Sequence, residues 1–125
     1  MRFETRRTGA TPDAIAPDGS KVRVLCAATR GSMAMFTLSP SAVSKAVVHR
    51  TVEELWYIVS GTGRIWRRFG EQEEVTDLAA GVSLSIPLGT QFQFRCDSTE
   101  PLSAIGVTMP PWPGEDEAVF INGPW

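Results

Sequence analysis

The chain has 125 residues, 42% of them hydrophobic and 21% charged, which is typical of one soluble globular domain with a core of its own. Its 12 basic and 14 acidic residues give a formal net charge of -2 without any long run of one sign, so a nucleic-acid or anionic-membrane surface is not expected. The sequence shows neither the apolar core of a secretory signal nor a membrane span, and we expect a cytoplasmic protein.

Short runs rich in β-branched and aromatic residues alternate with turn signals along the whole chain. These runs predict strands, and leave little room for helices, over residues 21–28, 32–38, 45–49, 54–61, 63–69, 73–78, 82–87, 91–96 and 102–109. The two cysteines, Cys26 and Cys96, lie far apart without metal-ligand spacing, so we expect free thiols.

Several of these strands alternate with period 2, which indicates one buried face. In 91–96 the residues Phe92, Phe94 and Cys96 share a face, whereas 54–61 is apolar on both faces and predicts a central strand covered on each side. Many short strands joined by tight turns predict an all-β sandwich or barrel. In a small protein, a jelly roll or a closed barrel protects the edge strands from pairing with other chains.

Two motifs then resemble the signatures of the cupin superfamily. Gly81, Pro87 and Gly89 match G-x5-P-x-G-x2-H-x3-N within about 81–96, and Glu54 and Gly61 match the end of G-x5-H-x-H-x3,4-E-x6-G within about 41–61. The resemblance implies a single cupin domain over 1–125, a mostly antiparallel double-stranded β-helix (the cupin jelly-roll barrel) with a cavity at its mouth.

The metal-binding residues of the family are largely missing from these motifs. Metal-containing cupins carry two His and one Glu from the first signature and a third His from the second. Here His49 takes the second His position, Val47 the first and Phe92 the third, while Ser41 replaces the leading Gly. Because His49 is the only histidine, we expect no cofactor; a divalent metal, if one bound, would use His49 and Glu54.

The remaining polar pair and the aromatic residues around it form the predicted site. His49 and Glu54 are interpreted either as a hydrogen-bonded polar pair or as a ligand-binding and catalytic acid–base pair. Further candidate ligand-binding residues are Trp56, Trp66, Gln91, Phe92 and Phe94. These aromatic rings either line a small-molecule cavity or fill the barrel as core.

The last segment, 110–125, combines two Trp and four Pro, so we expect a stiff apolar arm packed over its own barrel or that of a partner. A homodimer is expected, since cupins commonly pair through their sheets. Residues 114–117, Gly-Glu-Asp-Glu, are expected to form a solvated turn.

Three functions stay open on the sequence alone. The first is a cupin that binds a small organic ligand without a tightly held metal, with any catalysis being proton transfer of the isomerase or epimerase kind. The alternatives are a non-enzymatic binding or dimer-assembly module, and a metal-dependent oxygenase or isomerase with an incomplete motif.

Overall fold

Short alternating segments become two antiparallel sheets in the computed structural model, which describes residues 2–125. The strands are β1 (Ala14–Ile15), β2 (Lys21–Ala28), β3 (Gly31–Leu38), β4 (Val47–His49), β5 (Glu53–Ser60), β6 (Gly63–Phe69), β7 (Gln72–Leu78), β8 (Ser83–Ile86), β9 (Gln91–Cys96), β10 (Leu102–Met109) and β11 (Ala118–Phe120). A 3₁₀ turn, Glu115–Glu117, precedes β11.

The larger sheet has the order β1-β2-β3-β10-β5-β8, and the smaller has the order β11-β4-β9-β6-β7. All the strand pairs are antiparallel, and neighbours such as β3 and β10 are far apart in sequence. This two-sheet arrangement confirms the predicted all-β jelly-roll barrel. The predicted strands 21–28, 63–69, 91–96 and 102–109 have the observed bounds, while β1 and β11 escaped prediction because they are only two and three residues long.

The core lies between the sheets and is supplied by alternate residues of each strand. In β5 the inward side chains Glu54, Trp56 and Ile58 are at most 4% exposed. The outward side chains of Leu55, Tyr57 and Val59 are about half exposed. The prediction that this strand is covered on both faces was therefore wrong, since one side of the larger sheet faces solvent in this chain.

The C-terminal arm packs over its own barrel. β11 pairs with β4, and at the chain end the backbone of Trp125 exchanges two hydrogen bonds of 3.1 Å with the side chain of Gln93. The Trp125 ring also lies under the guanidinium groups of Arg64 and Arg95. Within the single chain the arm thus packs on its own barrel, as one of the two alternatives expected.

Arg67 and Arg68 pair across the β6–β7 hairpin with Glu74 and Glu73, so opposite charges lie next to each other there. Both cysteines are free thiols, and Cys96 is buried in the core. Over residues 2–125 no helix has the length and apolar character needed to cross a bilayer.

Candidate functional site

A cavity of about 420 Å³ opens between the inner face of the larger sheet and the strands β4 and β9. Segments from both ends of the chain close over it, because residues 14–18 and 111–118 contribute to its wall. Its aromatic lining consists of Phe36, Trp56, Phe92 and Trp112. Its polar lining consists of Asp18, Ser32, His49, Glu54, Thr108 and Glu115. Apolar walls with a few converging polar groups are characteristic of small-molecule sites.

Strand alternation brings the predicted polar pair to this cavity. His49 ends β4 on the same side as Val47, and Glu54 is the second residue of β5, on the same side as Trp56. Glu54 is flanked in the larger sheet by Thr108 of β10 and Ile86 of β8, so its backbone is held by two neighbouring strands. The carboxylate of Glu54 is thereby held inside the barrel.

His49 and Glu54 are in contact, but their geometry is not that of a hydrogen bond. The Nδ1 atom of His49 lies 3.0 Å from Oε2 of Glu54, and the two side chains are only 8% and 2% exposed. Despite that distance Nδ1 makes no hydrogen bond, because the imidazole edge is not aimed at the carboxylate oxygen. The other carboxylate oxygen, Oε1, accepts a hydrogen bond of 3.3 Å from the indole of Trp56. The pair thus keeps an unused imidazole nitrogen beside a buried carboxylate.

Aromatic rings fix the position of the imidazole. The His49 ring makes edge contacts with Phe92 at 5.3 Å and with Trp112 at 5.1 Å between centroids. Trp112 comes from the C-terminal arm, where its backbone N–H donates to Oγ of Ser32 at 2.9 Å. The arm therefore supplies one wall of the cavity as well as packing against the barrel.

The connection between β4 and β5 is held by Glu117. Its carboxylate accepts hydrogen bonds from the backbone N–H and the hydroxyl of Thr51, at 2.6 and 2.5 Å, and from the N–H of Val52 at 3.1 Å. Burial acts to raise the pKa of Glu117, but these hydrogen bonds, with the nearby His49, hold it below its usual value. The prediction of a solvated turn over 114–117 was wrong at this residue, which is 4% exposed.

Asp18 adds a second carboxylate near the polar pair. Burial raises its pKa, and so does the charge of Glu54, whereas hydrogen bonds from the N–H and hydroxyl of Ser20 and the proximity of His49 act in the opposite direction. Both Ser20 donors reach Oδ1, at 2.9 and 2.7 Å. Ser20 thus orients a carboxyl group that burial makes costly to ionise.

The sequence-predicted site residues separate into two groups. His49, Glu54, Trp56 and Phe92 meet at the cavity. Phe94 packs beneath Trp56 in the core, with the ring centroids 4.9 Å apart, so both sequence interpretations of the aromatic residues hold in part.

Two predicted lining residues lie elsewhere. Trp66 points away from the barrel interior, since its neighbour Ile65 takes the inward position of β6, and its indole donates to Glu73. Gln91 lies on the face of β9 opposite to Phe92 and pairs with Val48 and Arg68. In this register the amide of Gln91 does not reach the site.

Sequence reasoning missed several lining residues, namely Asp18, Ser32, Phe36, Thr108 and Glu115. Phe36 and Thr108 lie on strands that were predicted, and alternation along β3 and β10 would have placed them inward once the register was known. Asp18 and Glu115 lie in turns, where no periodicity indicates direction. Trp112 was predicted only as one of the two tryptophans of the apolar arm 110–125.

The residues present do not fit the metal site of the family. Val47 and Phe92, both buried and apolar, occupy two positions where that site has histidines. In the described chain, no three His, Cys, Asp or Glu side chains converge in a way that would hold an ion. A first-row metal site usually needs at least three protein ligands, and His49 with Glu54 supplies two.

Comparisons with known proteins agree on the fold. A family model described as Cupin domain matches residues 34–108. No curated protein matches the sequence. A Klebsiella pneumoniae protein with a double-stranded β-helix domain has a similar structure, with a TM-score of 0.67 at 16% identity over 95% of this chain and 91% of its own.

A Bacillus halodurans protein has a TM-score of 0.67 at 15% identity, covering 82% of this chain and 76% of its own. Bacillus subtilis oxalate decarboxylase, a protein with Mn(II) centres, has a TM-score of 0.74 at 18% identity over 89% of this chain. The chain corresponds to only 30% of that enzyme. Identities this low show a shared fold alone.

Proposed function

The chain belongs to the cupin family, and on that premise we propose that its barrel binds a small, largely apolar organic molecule, anchored by His49 and Glu54, without a tightly held metal. The observation that carries this proposal is the cavity of about 420 Å³ into which both side chains project. That volume is within the range of small-molecule sites, roughly 300–1,000 Å³.

The polar pair supports binding because its hydrogen-bonding capacity is not used up inside the chain. Nδ1 of His49 is buried without a hydrogen bond, and a buried polar atom of this kind costs roughly 1–3 kcal/mol unless it finds a partner. A ligand with one polar group near Nδ1 and Oε2 of Glu54 would supply that partner. The aromatic walls would take up the rest of the molecule.

Any catalysis at this site would be proton transfer. Either member of the pair can take a proton from a ligand carbon, and either can return one to the same or a neighbouring carbon, which is isomerisation or epimerisation. Such a reaction consumes no oxidant. The metal-dependent oxygenase or isomerase considered from the sequence would need ligands that this cavity does not provide.

Native mass spectrometry of protein purified without a histidine tag tests the binding proposal. We expect a small organic molecule to remain with the chain, or to bind on addition, without one transition-metal ion per chain. The variant Ala34→Leu, which enlarges a side chain in the cavity wall, should abolish that binding. Ala28→Leu, at an exposed position of β2, is the matched control. A stoichiometric metal, or equal binding by both variants, would contradict the proposal.

A second candidate is an assembly module, favoured by the outer face of the larger sheet. Alternate residues of β3, β10 and β5 make this face largely apolar: Met33, Leu55, Tyr57 and Val59 are exposed on it, and Met35, Ile105 and Val107 are half-buried. Large exposed apolar patches are characteristic of interaction surfaces. We propose a second copy of the chain as its partner, because the apolar side chains of three neighbouring strands form a patch that is complementary to an identical patch, with the charged Arg23 of β2 and Glu53 at the start of β5 lying at its sides.

A further inference from the structure

We infer that the ligand of the cavity is an organic cation, an amine or quaternary ammonium group attached to an apolar body. This inference rests on the proposed function and narrows the class of ligand from small organic molecules in general to organic cations. It excludes carboxylates and other anions as the preferred ligands of the site.

The charges that line the cavity are nearly all of one sign. Glu54 and Glu115 contribute carboxyl groups, Asp18 adds a third that burial makes costly to ionise, and among residues 2–125 no lysine or arginine side chain lines the wall. The nearby Arg50 is engaged outside, where its guanidinium donates to the backbone carbonyl of Asp116. His49 is the one lining residue that can become positive, and it would balance a single carboxylate. A wall of this kind attracts cations and repels anions, most strongly where water is excluded.

The contact between His49 and Glu54 indicates where the cationic group would lie. Nδ1 and Oε2 are 3.0 Å apart, yet no hydrogen bond joins them, and the imidazole side chain is more than nine-tenths buried. With the imidazole neutral and its proton on the other nitrogen, these atoms are two acceptors side by side. An ammonium group can donate N–H bonds to both acceptors, and an alkylated ammonium can lie against them by charge alone.

The aromatic walls suit the same ligand class. Trp56 and Phe92 contact each other edge to face at 6.0 Å, Phe36 lies 5.6 Å from Trp56, and Trp112 closes the cavity from the arm. Aromatic rings around a carboxylate are the usual means of recognising alkylated ammonium groups, because the ring faces attract the cation and the hydrocarbon is desolvated. Neither the lining carboxylates nor the rings would favour an anion of equal size.

Three probes with the same aromatic body and different charge test the inference by calorimetric titration. They are benzyltrimethylammonium, its neutral isostere neopentylbenzene, and phenylacetate as the anion. We expect the cation to bind roughly tenfold or more tightly than the neutral probe, with phenylacetate the weakest. Equal binding of the cation and the neutral probe would overturn the inference and leave the proposed function standing. Failure of all three to bind would overturn both.

Variants that remove one carboxyl charge show which residues attract the cation. Glu54→Gln should reduce benzyltrimethylammonium binding roughly tenfold and leave neopentylbenzene binding unchanged. Glu115→Gln, which removes a charge from an exposed residue of the wall, gives a second test if the first variant folds poorly. Glu71→Gln, in the exposed β6–β7 turn, makes the same change in net charge away from the cavity and should have no effect. An equal loss in the Glu71 variant would overturn the assignment.

Discussion

Glu117 fixes the connection between the two strands that carry His49 and Glu54, although it comes from the far end of the chain. Its role could not be predicted, because Glu117 lies in a turn and its hydrogen-bond partners lie more than 60 positions earlier in the sequence. The inward direction of His49 and Glu54 was predictable from strand alternation and from the cupin motif. At the scale of single residues, the sequence therefore predicted what periodicity governs and missed what turns and long-range contacts decide.

Replacing Glu117 with Gln should destabilise the protein by about 1–3 kcal/mol, because charge-assisted hydrogen bonds to Thr51 and Val52 are lost or weakened. The folded-state pKa of Glu117 is below its usual value of 4.5, so the unfolded chain binds its proton more readily. The stabilisation is therefore complete above pH 4.5 and is lost as the pH falls through the lower folded-state pKa.

Urea unfolding of the wild type and of Glu117→Gln between pH 3 and pH 7 measures this stabilisation. The quantity compared is the difference between their free energies of unfolding. The difference should be largest near pH 7 and shrink below pH 4.5. Asp116→Asn, at the exposed neighbouring position, should show little difference at any pH. A difference for Glu117→Gln that stays constant with pH would show that the carboxylate charge is not what stabilises the loop.

At the motif positions, the turn residues between the strands adopt the left-handed conformation. Gly61, Gly81 and Gly89 have φ values of 79°, 94° and 85°, and Ser41, which replaces the leading Gly of the first motif, has a φ of 65°. Glycine adopts such angles without a steric cost, and this is the physical reason that these motif positions can be recognised in a sequence. The motif frame therefore predicted the placement of strands more securely than it predicted ligands.

Ser41→Gly should stabilise the protein by up to about 1 kcal/mol, since a side chain at positive φ is strained and glycine is not. The midpoint of urea unfolding should rise at an unchanged slope. Ser39→Gly, two residues earlier and without positive φ, is the matched control and should lose about 0.5–1 kcal/mol. A decrease in stability for both variants would mean that this turn is not under strain.

The C-terminal arm is the element whose position the sequence left open, and a glycine permits its close approach. A Cβ atom on Gly123 would overlap Oε1 of Gln93 and lie 2.6 Å from the Cβ of Ala46. Gly123→Ala should therefore lift the end of the arm, disturb the hydrogen bonds between Gln93 and Trp125, and cost about 1–3 kcal/mol.

Amide hydrogen exchange at Trp125 reports this directly, because its N–H donates to Gln93 in the native chain. Exchange there should become faster in Gly123→Ala, together with a lower free energy of unfolding. Gly9→Ala, where the nearest atom to an added Cβ lies at 3.6 Å, should leave both quantities unchanged. Unaltered exchange in the Gly123 variant would show that the arm accommodates the methyl group without moving.

The two faces of the larger sheet have different surroundings. The inner face of the larger sheet contributes the cavity, and its outer face leaves apolar residues open to solvent. The all-β barrel was predictable because strand period, turn residues and motif spacing all agreed. The cavity was less predictable, because its walls include segments from both chain ends that meet only in the folded barrel. The exposure of the outer face was not predicted either, because β5 is apolar on both faces in the sequence.

Two copies of the chain are expected to pair through the outer face of the larger sheet. Leu55, the third residue of β5, is 51% exposed, and its neighbour across the strand pair, Val107, lies on the same face. A lysine at position 55 would place like charges opposite each other in a two-fold interface and would bury them without partners. We expect wild-type protein to sediment as a dimer and Leu55→Lys as a monomer. Leu88→Lys makes the same change at a 47% exposed leucine in the β8–β9 turn, outside the face, and should remain dimeric. A monomeric wild type would exclude the self-association, and a dimer in all three proteins would place the interface elsewhere.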